Sequence, residues 1–226
     1  MRTAIYIDGF NLYYRLLKYR PQFKWLNPLL LAQEILAREH LITQVNYYTA
    51  RISVRSNDPE APARQVAYPK ALESVPNVRI HEGNFMVSKV LMALAEPLET
   101  RPRDYQWAMP PPNLVQVVKT EEKGSDVNLA AHLVSDAFKD AFDVAVVLSN
   151  DTDLVEPIRI VKEEVGKRVG LLVPTRYPSA TLAAAASFHL HVRPGHLARA
   201  QFPDTVPLTD GTTADEPASW VAPVVS

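Results

Sequence analysis

Short apolar runs alternate along the chain with segments whose apolar positions recur every three or four residues. The runs predict strands at 3–8 (TAIYID), 42–52 (ITQVNYYTARI), 77–83 (NVRIHEG), 114–120 (LVQVVKT), 143–149 (DVAVVLS) and 168–174 (RVGLLVP), with a last edge strand in HLHV. Helical spacing predicts helices over 10–17, 27–37, 59–74, 125–139, 154–166 and 179–188. Pro69 is expected to kink or end the third, because it has no amide hydrogen to donate. Gly166 suits the end of the fifth.

Alternation of strand and helix predicts an α/β fold with a mostly parallel sheet and helices on both faces. The near-continuous apolar strands agree, since such strands are covered on both sides. Two segments break the pattern. Residues 96–113 (EPLETRPRDYQWAMPPPN) are proline-rich and aperiodic, and are expected to form a long loop. The chain therefore reads as one domain over 1–200 and a tail over 201–226, expected to be largely extended or disordered. The alternative is that either segment docks a protein partner, with Trp107 or Trp220 as its anchor.

Composition narrows the chemistry. The chain has 226 residues, of which 47% are apolar, enough for a full core. The net charge of −1 leaves no global field to draw nucleic acid, so any such contact is local. The absence of cysteine excludes disulfides, thiolate metal sites and a cysteine nucleophile. No apolar stretch reaches the ~18 residues of a membrane span, and MRTAIYIDG lacks the layout of a signal peptide. A cytoplasmic location is the expectation.

In open parallel sheets, ligands bind beyond the carboxyl ends of the strands. Asp8 ends the first strand, and Asp151 and Asp153 follow the strand DVAVVLS. In KGSDVNLAAHLVSDAF, Ala130, Leu133, Val134, Ala137 and Phe138 form an apolar stripe, and stepping back four from Ala130 reaches Asp126. Asn128, His132, Ser135 and Lys139 fall on the polar face. Each acid has a plainer role open to it. Asp153 would cap a helix with Glu156 completing a capping box, Asp126 would complement a helix dipole, and Asp151 would belong to a turn. Asp8 would precede a tight turn at Gly9. Together, four carboxylates at one edge would repel each other without a cation. Mg²⁺ or Mn²⁺ is the matching ion, and phosphate chemistry the matching use. The six histidines are scattered, and His189 and His191 lack a third zinc ligand nearby.

The motifs YIDGFN, KGSDV and LSNDTDL, in this order, resemble the NYN domain, a branch of the PIN-like nuclease superfamily. The resemblance spans Thr3 to about Val173. It implies a three-layer α/β/α sandwich of PIN-like, Rossmann-related kind, an acidic Mg²⁺ site and cleavage of RNA. By position, Asp8, Asp126, Asp151 and Asp153 would be the acidic set, and Asn11 the polar residue beside the first aspartate. The last motif more often reads SGDSDF. Here Asn150 and Leu154 depart from it, and Asn is able to adopt the left-handed backbone conformation that glycine would supply. DTDLV also resembles the nucleophile motif of HAD phosphatases, but that motif belongs on the first strand of its fold.

Arg51, Arg55, Lys119, Lys123 and Arg176 lie near predicted strand ends and are candidate phosphate contacts. Phe10, Tyr13 and Tyr14 could stack bases, although their helical spacing with Leu17 places them in the core. RPRDYQW (101–107) mixes arginine with aromatics and is a candidate substrate flap. The expected function is a metal-dependent endoribonuclease acting on single-stranded RNA and leaving a 5′-phosphate. A non-catalytic RNA-binding or regulatory module, and then a phosphatase, are the alternatives. Homodimerisation stays open.

Overall fold

The computed structural model describes residues 1–50, 61–95, 106, 110 and 112–221. Arg51, Arg55, the RPRDYQW arginines and Trp107 lie outside these residues. Strand β1 (Arg2–Asp8) leads into a short helix α1 (Gly9–Leu12), which continues as a π-helical turn over Tyr13–Leu17. Helix α2 (Pro28–Ile35), strand β2 (Leu41–Ala50), helix α3 (Ala61–Glu73) and strand β3 (Val78–Ala93) follow. After them come β4 (Leu114–Lys123), α4 (Ser125–Phe138), β5 (Val144–Leu148), α5 (Val155–Glu163), β6 (Arg168–Val173), α6 (Ala180–Ala185) and β7 (Phe188–His191).

Among the described residues, seven strands form one sheet in the order β4-β3-β2-β1-β5-β6-β7. All neighbours are parallel except β3 and β4. The chain builds outward from β1 in one direction and then returns to build outward from β5 in the other. The order therefore reverses between β1 and β5, the switch point where ligand crevices open in such sheets. One face carries Ile5, Ile7 and Val146 against α2 and α3. The other carries Ala4, Tyr6, Ala145 and Val147 against α4, α5 and α6. This is the expected three-layer α/β/α sandwich.

Four expectations need correcting. Pro69 does not end helix α3, which continues to Glu73. Ala71 and Leu72 are fully buried beyond the proline, and that burial holds the last turn in place. The strand expected over 77–83 runs on to Ala93. Strand β3 pairs with β2 as far as Gly83, then pairs antiparallel with β4 from Asn84 to Ala93. The resulting ribbon extends past the end of β1. The tail is also folded over its described part. Helix α7 (Pro194–Arg199) precedes a hairpin of β8 (Thr205–Pro207) and β9 (Thr213–Asp215), whose Val206 and Ala214 enter the core. Trp220 packs on Trp25 and Tyr68, with ring centroids 6.2 and 6.0 Å away, so it anchors the tail to its own domain. Finally, the helix after Phe10 exposes Tyr13 and Tyr14 instead of burying them. No helix among the described residues is long and apolar enough to cross a membrane.

Candidate active site at the carboxyl edge of the sheet

The site follows from the pleat of β1. Successive strand residues point to opposite faces, so Asp8 shares the face of Ala4 and Tyr6, beneath α4 and α5. It is 2% exposed. Its Oδ1 accepts from the Asn11 amide (2.9 Å), and its Oδ2 accepts from Asn11 Nδ2 (2.6 Å) and Ser149 Oγ (2.9 Å). Burial pushes the Asp8 carboxyl above its ordinary range, and the Asn11 and Ser149 hydrogen bonds oppose that push. Asn11 thus stands against the first aspartate, where the motif placed it.

Gly9 does not serve a left-handed turn, for its φ is not positive. A Cβ there would come within 2.5 Å of the Tyr48 carbonyl oxygen and 3.1 Å of the Tyr47 ring. Close approach of β1 to β2 is what requires glycine. Gly9→Ala is expected to cost about 1–3 kcal/mol, the usual penalty for overpacking, and to shift Asp8 off its donors. Urea unfolding measures the cost; an unchanged midpoint would mean that the strand end yields freely.

Ser149 follows Val147 on the same face of β5, which explains its contact with Asp8. Its hydroxyl oxygen also accepts from the Asp151 amide at 3.0 Å. The Asp151 carboxylate in turn accepts from the Asp153 amide at 3.1 Å and caps the turn Thr152–Leu154. The cap expected of Asp153 therefore belongs to Asp151, and Glu156 is ion-paired with Arg159 instead of closing a capping box. Asp153 is exposed. Asn150 does not adopt the left-handed conformation: among described residues other than glycine, only Asn77 and Asp140 have positive φ. Its Oδ1 accepts from the Ser179 amide at 2.8 Å, tying the end of β5 to the start of α6.

Helix α4 starts at Gly124, whose φ of 104° is open to glycine at no steric cost. Its buried line is Ser125, Leu129, Leu133 and Ala137, while Phe138 is 62% exposed. Leu133 and Ala137 of the expected stripe lie in this line, Ala130 and Val134 pack partly buried beside it, and Asp126 lies half-buried at its rim. Asp126 still meets the other acids. Its carboxyl is pushed up to about 6, first by burial and then by the charges of Asp8, Asp151, Glu122 and Asp153. Glu122, which sequence reasoning missed, accepts from the Ser125 amide at 2.9 Å. Its signal was a carboxylate at the foot of the strand preceding KGSDV.

The four charges named as acting on Asp126 are carboxylates, which suits a hard divalent cation that would relieve their repulsion. Yet among the described residues no three acidic or histidine side chains stand close enough to hold a metal ion as they are. The chemistry of the set fits Mg²⁺ or Mn²⁺, while the ligand sphere is not preassembled.

Of the basic candidates, the described ones are Lys119 and Lys123 on β4 and Arg176 just beyond β6. Lys123 Nζ lies 3.5 Å and Lys119 Nζ 2.6 Å from Glu121. Arg176, exposed just beyond β6, has its guanidinium over the Tyr177 ring at 5.3 Å. Two histidines are not scattered: the rings of His81 and His132 are 4.5 Å apart. His132 Nδ1 shares a 3.0 Å hydrogen bond with the Tyr48 hydroxyl, so His132 faces inward from α4. His81 stacks on Tyr48, and burial holds it below the ordinary histidine range.

The NYN domain family matches residues 2–192. The chain is 31% identical over 247 residues to 6-hydroxy-3-succinoylpyridine 3-monooxygenase HspA of Pseudomonas putida, covering 97% of this chain and 75% of that protein. A crystal structure of a protein of unknown function from Vibrio parahaemolyticus is similar at a TM-score of 0.46 and 15% identity, covering 85% of this chain and 93% of that one.

Proposed function

This chain belongs to the NYN domain family, of PIN-like nuclease fold, and on that premise we propose that it is a Mg²⁺- or Mn²⁺-dependent endoribonuclease. The observation that carries the proposal is the gathering of acids where β1 and β5 end: Ser149 hydrogen-bonds both the buried Asp8 and the Asp151 amide, and half-buried Asp126 feels the charges of Asp8, Asp151, Glu122 and Asp153. Asp8, Asp126, Asp151 and Asp153 would hold the cation. When bound, the ion supplies charge that offsets the phosphodiester in an in-line displacement and lowers the pKa of the attacking water. Asp8, clamped by Asn11 and Ser149, is the rigid member of the set. Asp126, Asp151 and Asp153 would supply the remaining negative charge for the ion. Lys123 and Arg176, with Arg51 and Arg55, would hold flanking phosphates. Single-stranded RNA is the substrate, since its backbone can bend toward a recessed edge.

The test is incubation of end-labelled RNA with and without Mn²⁺. Cleavage that requires the cation and leaves 5′-phosphate ends is expected. A 2′,3′-cyclic phosphate would mean that the RNA's own hydroxyl attacked. Binding without cleavage would leave a regulatory RNA-binding module, and phosphate release from mononucleotides a phosphatase. Cation binding has its own signature. Millimolar Mn²⁺ should raise the melting temperature, by about 1–3 kcal/mol of stabilisation if it exceeds its Kd roughly 10- to 100-fold. Asp151→Asn should remove that shift, and a wild-type protein indifferent to Mn²⁺ would end the metal proposal.

A second reading comes from the Pseudomonas relative, named for oxygenation of a hydroxylated succinoylpyridine. It is favoured by an alignment that spans 97% of this chain. Supplying 6-hydroxy-3-succinoylpyridine with dioxygen and a reduced nicotinamide, and following substrate loss by chromatography, separates it from the nuclease.

A further inference from the structure

Immediately beyond Asp8 the chain presents an aromatic face that core packing does not require. Phe10 and Tyr14 lie nearly parallel, with ring centroids 6.5 Å apart and 18° between planes. Phe10 also meets Phe85, at the root of the β3–β4 ribbon, edge to face at 5.9 Å. Tyr14 is 54% exposed and Tyr19 is 84% exposed. Of the residues in this turn only Leu16 and Leu17 reach the core.

Lys18 Nζ lies 5.2 Å from the ring centroids of both Tyr14 and Tyr19. The backbone is shaped to this arrangement. The Lys18 amide donates to the Tyr13 carbonyl at 2.7 Å, closing a π-helical turn. Such wide turns are uncommon and concentrate at functional sites. Exposed rings interleaved with a cation are what a single strand of nucleic acid needs: faces on which bases stack and a charge for the backbone between them.

We propose that Phe10, Tyr14 and Tyr19, with Lys18 between the last two, form a stacking platform that leads a single RNA strand to the Asp8 edge. The platform rests on the nuclease proposal for its substrate, but it is a binding site and does not depend on catalysis. Phe10 is two residues from Asp8, so a strand lying on the platform has its next phosphate delivered toward the acids. The overall charge of −1 adds little backbone attraction, so stacking supplies a large share of the affinity.

The experiment uses full-length protein in EDTA, so that nothing is cut, and a labelled oligouridine strand followed by fluorescence anisotropy. Replacing Tyr14 and Tyr19 together by Ala is expected to weaken binding about tenfold or more, whereas the paired Phe substitutions hold it within about twofold. An abasic strand of equal length and charge should bind wild type weakly and lose nothing further in the Ala pair. If the Ala pair binds the intact strand as wild type does, or if the Phe pair loses as much as the Ala pair, the platform is overturned. Both tyrosines are exposed, so folding is not at stake, and melting curves of all variants check this. Strand binding of the expected pattern without Mn²⁺-dependent cleavage would remove the nuclease and leave the platform. Cleavage by wild type with a KM unchanged in the Ala pair would do the reverse.

Discussion

Asp126→Asn is expected to lower RNA cleavage about a hundredfold or more while making the cation-free protein more stable at neutral pH. Both effects have one cause. The Asp126 carboxyl is raised to about 6 from its ordinary 3.8 by burial and by surrounding carboxylates. Between these values the folded protein holds a proton that the unfolded chain has lost. Stability from this group is therefore greatest below about pH 4 and is lost as the pH rises through 6. The full shift would correspond to about 3 kcal/mol, but the carboxyl is half-exposed and water screens it. A gain of about 1 kcal/mol from the amide at pH 7 is the reasonable size. Asn keeps the shape and removes the charge, so it also removes the attraction for a cation. Urea unfolding between pH 4 and 8, without divalent ions, should show wild type weakening as the pH rises and the variant weakening less. A loss of ~1 kcal/mol in the variant at pH 7 would instead mean that the carboxylate serves the helix dipole of α4.

Trp25→Ala is expected to cost about 3–5 kcal/mol, a large part of the stability of one domain. Trp25 is 1% exposed and stands where the tail joins the body. Its Nε1 donates to the Pro203 carbonyl at 2.8 Å, and its backbone carbonyl accepts from the Phe202 amide at 2.8 Å. Its ring packs against Tyr68, Phe202 and Trp220. Deleting the indole leaves a cavity and strips the tail of both its hydrogen bond and its apolar seat. Limited proteolysis of the variant should then cut within 203–221, which wild type protects. Removal of residues 202–226 should reproduce much of the loss by exposing Trp25 and Tyr68. A truncated chain within about 1 kcal/mol of the full one would make the tail an ornament on a self-sufficient domain.

What the sequence determined by itself was local and periodic. Period-two and period-3.6 patterns located the strands and helices of the sandwich, because burial imposes those patterns directly on a chain. The motifs YIDGFN and LSNDTDL placed Asp8, Asp151 and Asp153 at strand ends that parallel topology brings to one edge, and KGSDV placed Asp126 in the first turn of a helix. The phase of α4 was less legible. Leu133 and Ala137 were legible as buried, but Leu129 rather than Phe138 joins them, and contacts with β1 and β2 turn His132, expected on the polar face, toward Tyr48.

Tertiary structure alone decided the rest. The pairing of Asn84–Ala93 with β4 joins segments separated by an aperiodic loop, and no local pattern records such a partner. Tail order depends on Trp25 and Tyr68, far away in sequence, so a Pro/Thr/Asp-rich composition misleads about it. The aromatic turn shows the same limit in reverse. Tyr13, Tyr14 and Leu17 share helical spacing, yet a π turn after Leu12 buries Leu17 and exposes the tyrosines. Spacing says which residues can share a face; only the packed neighbours decide whether that face meets the core or the solvent.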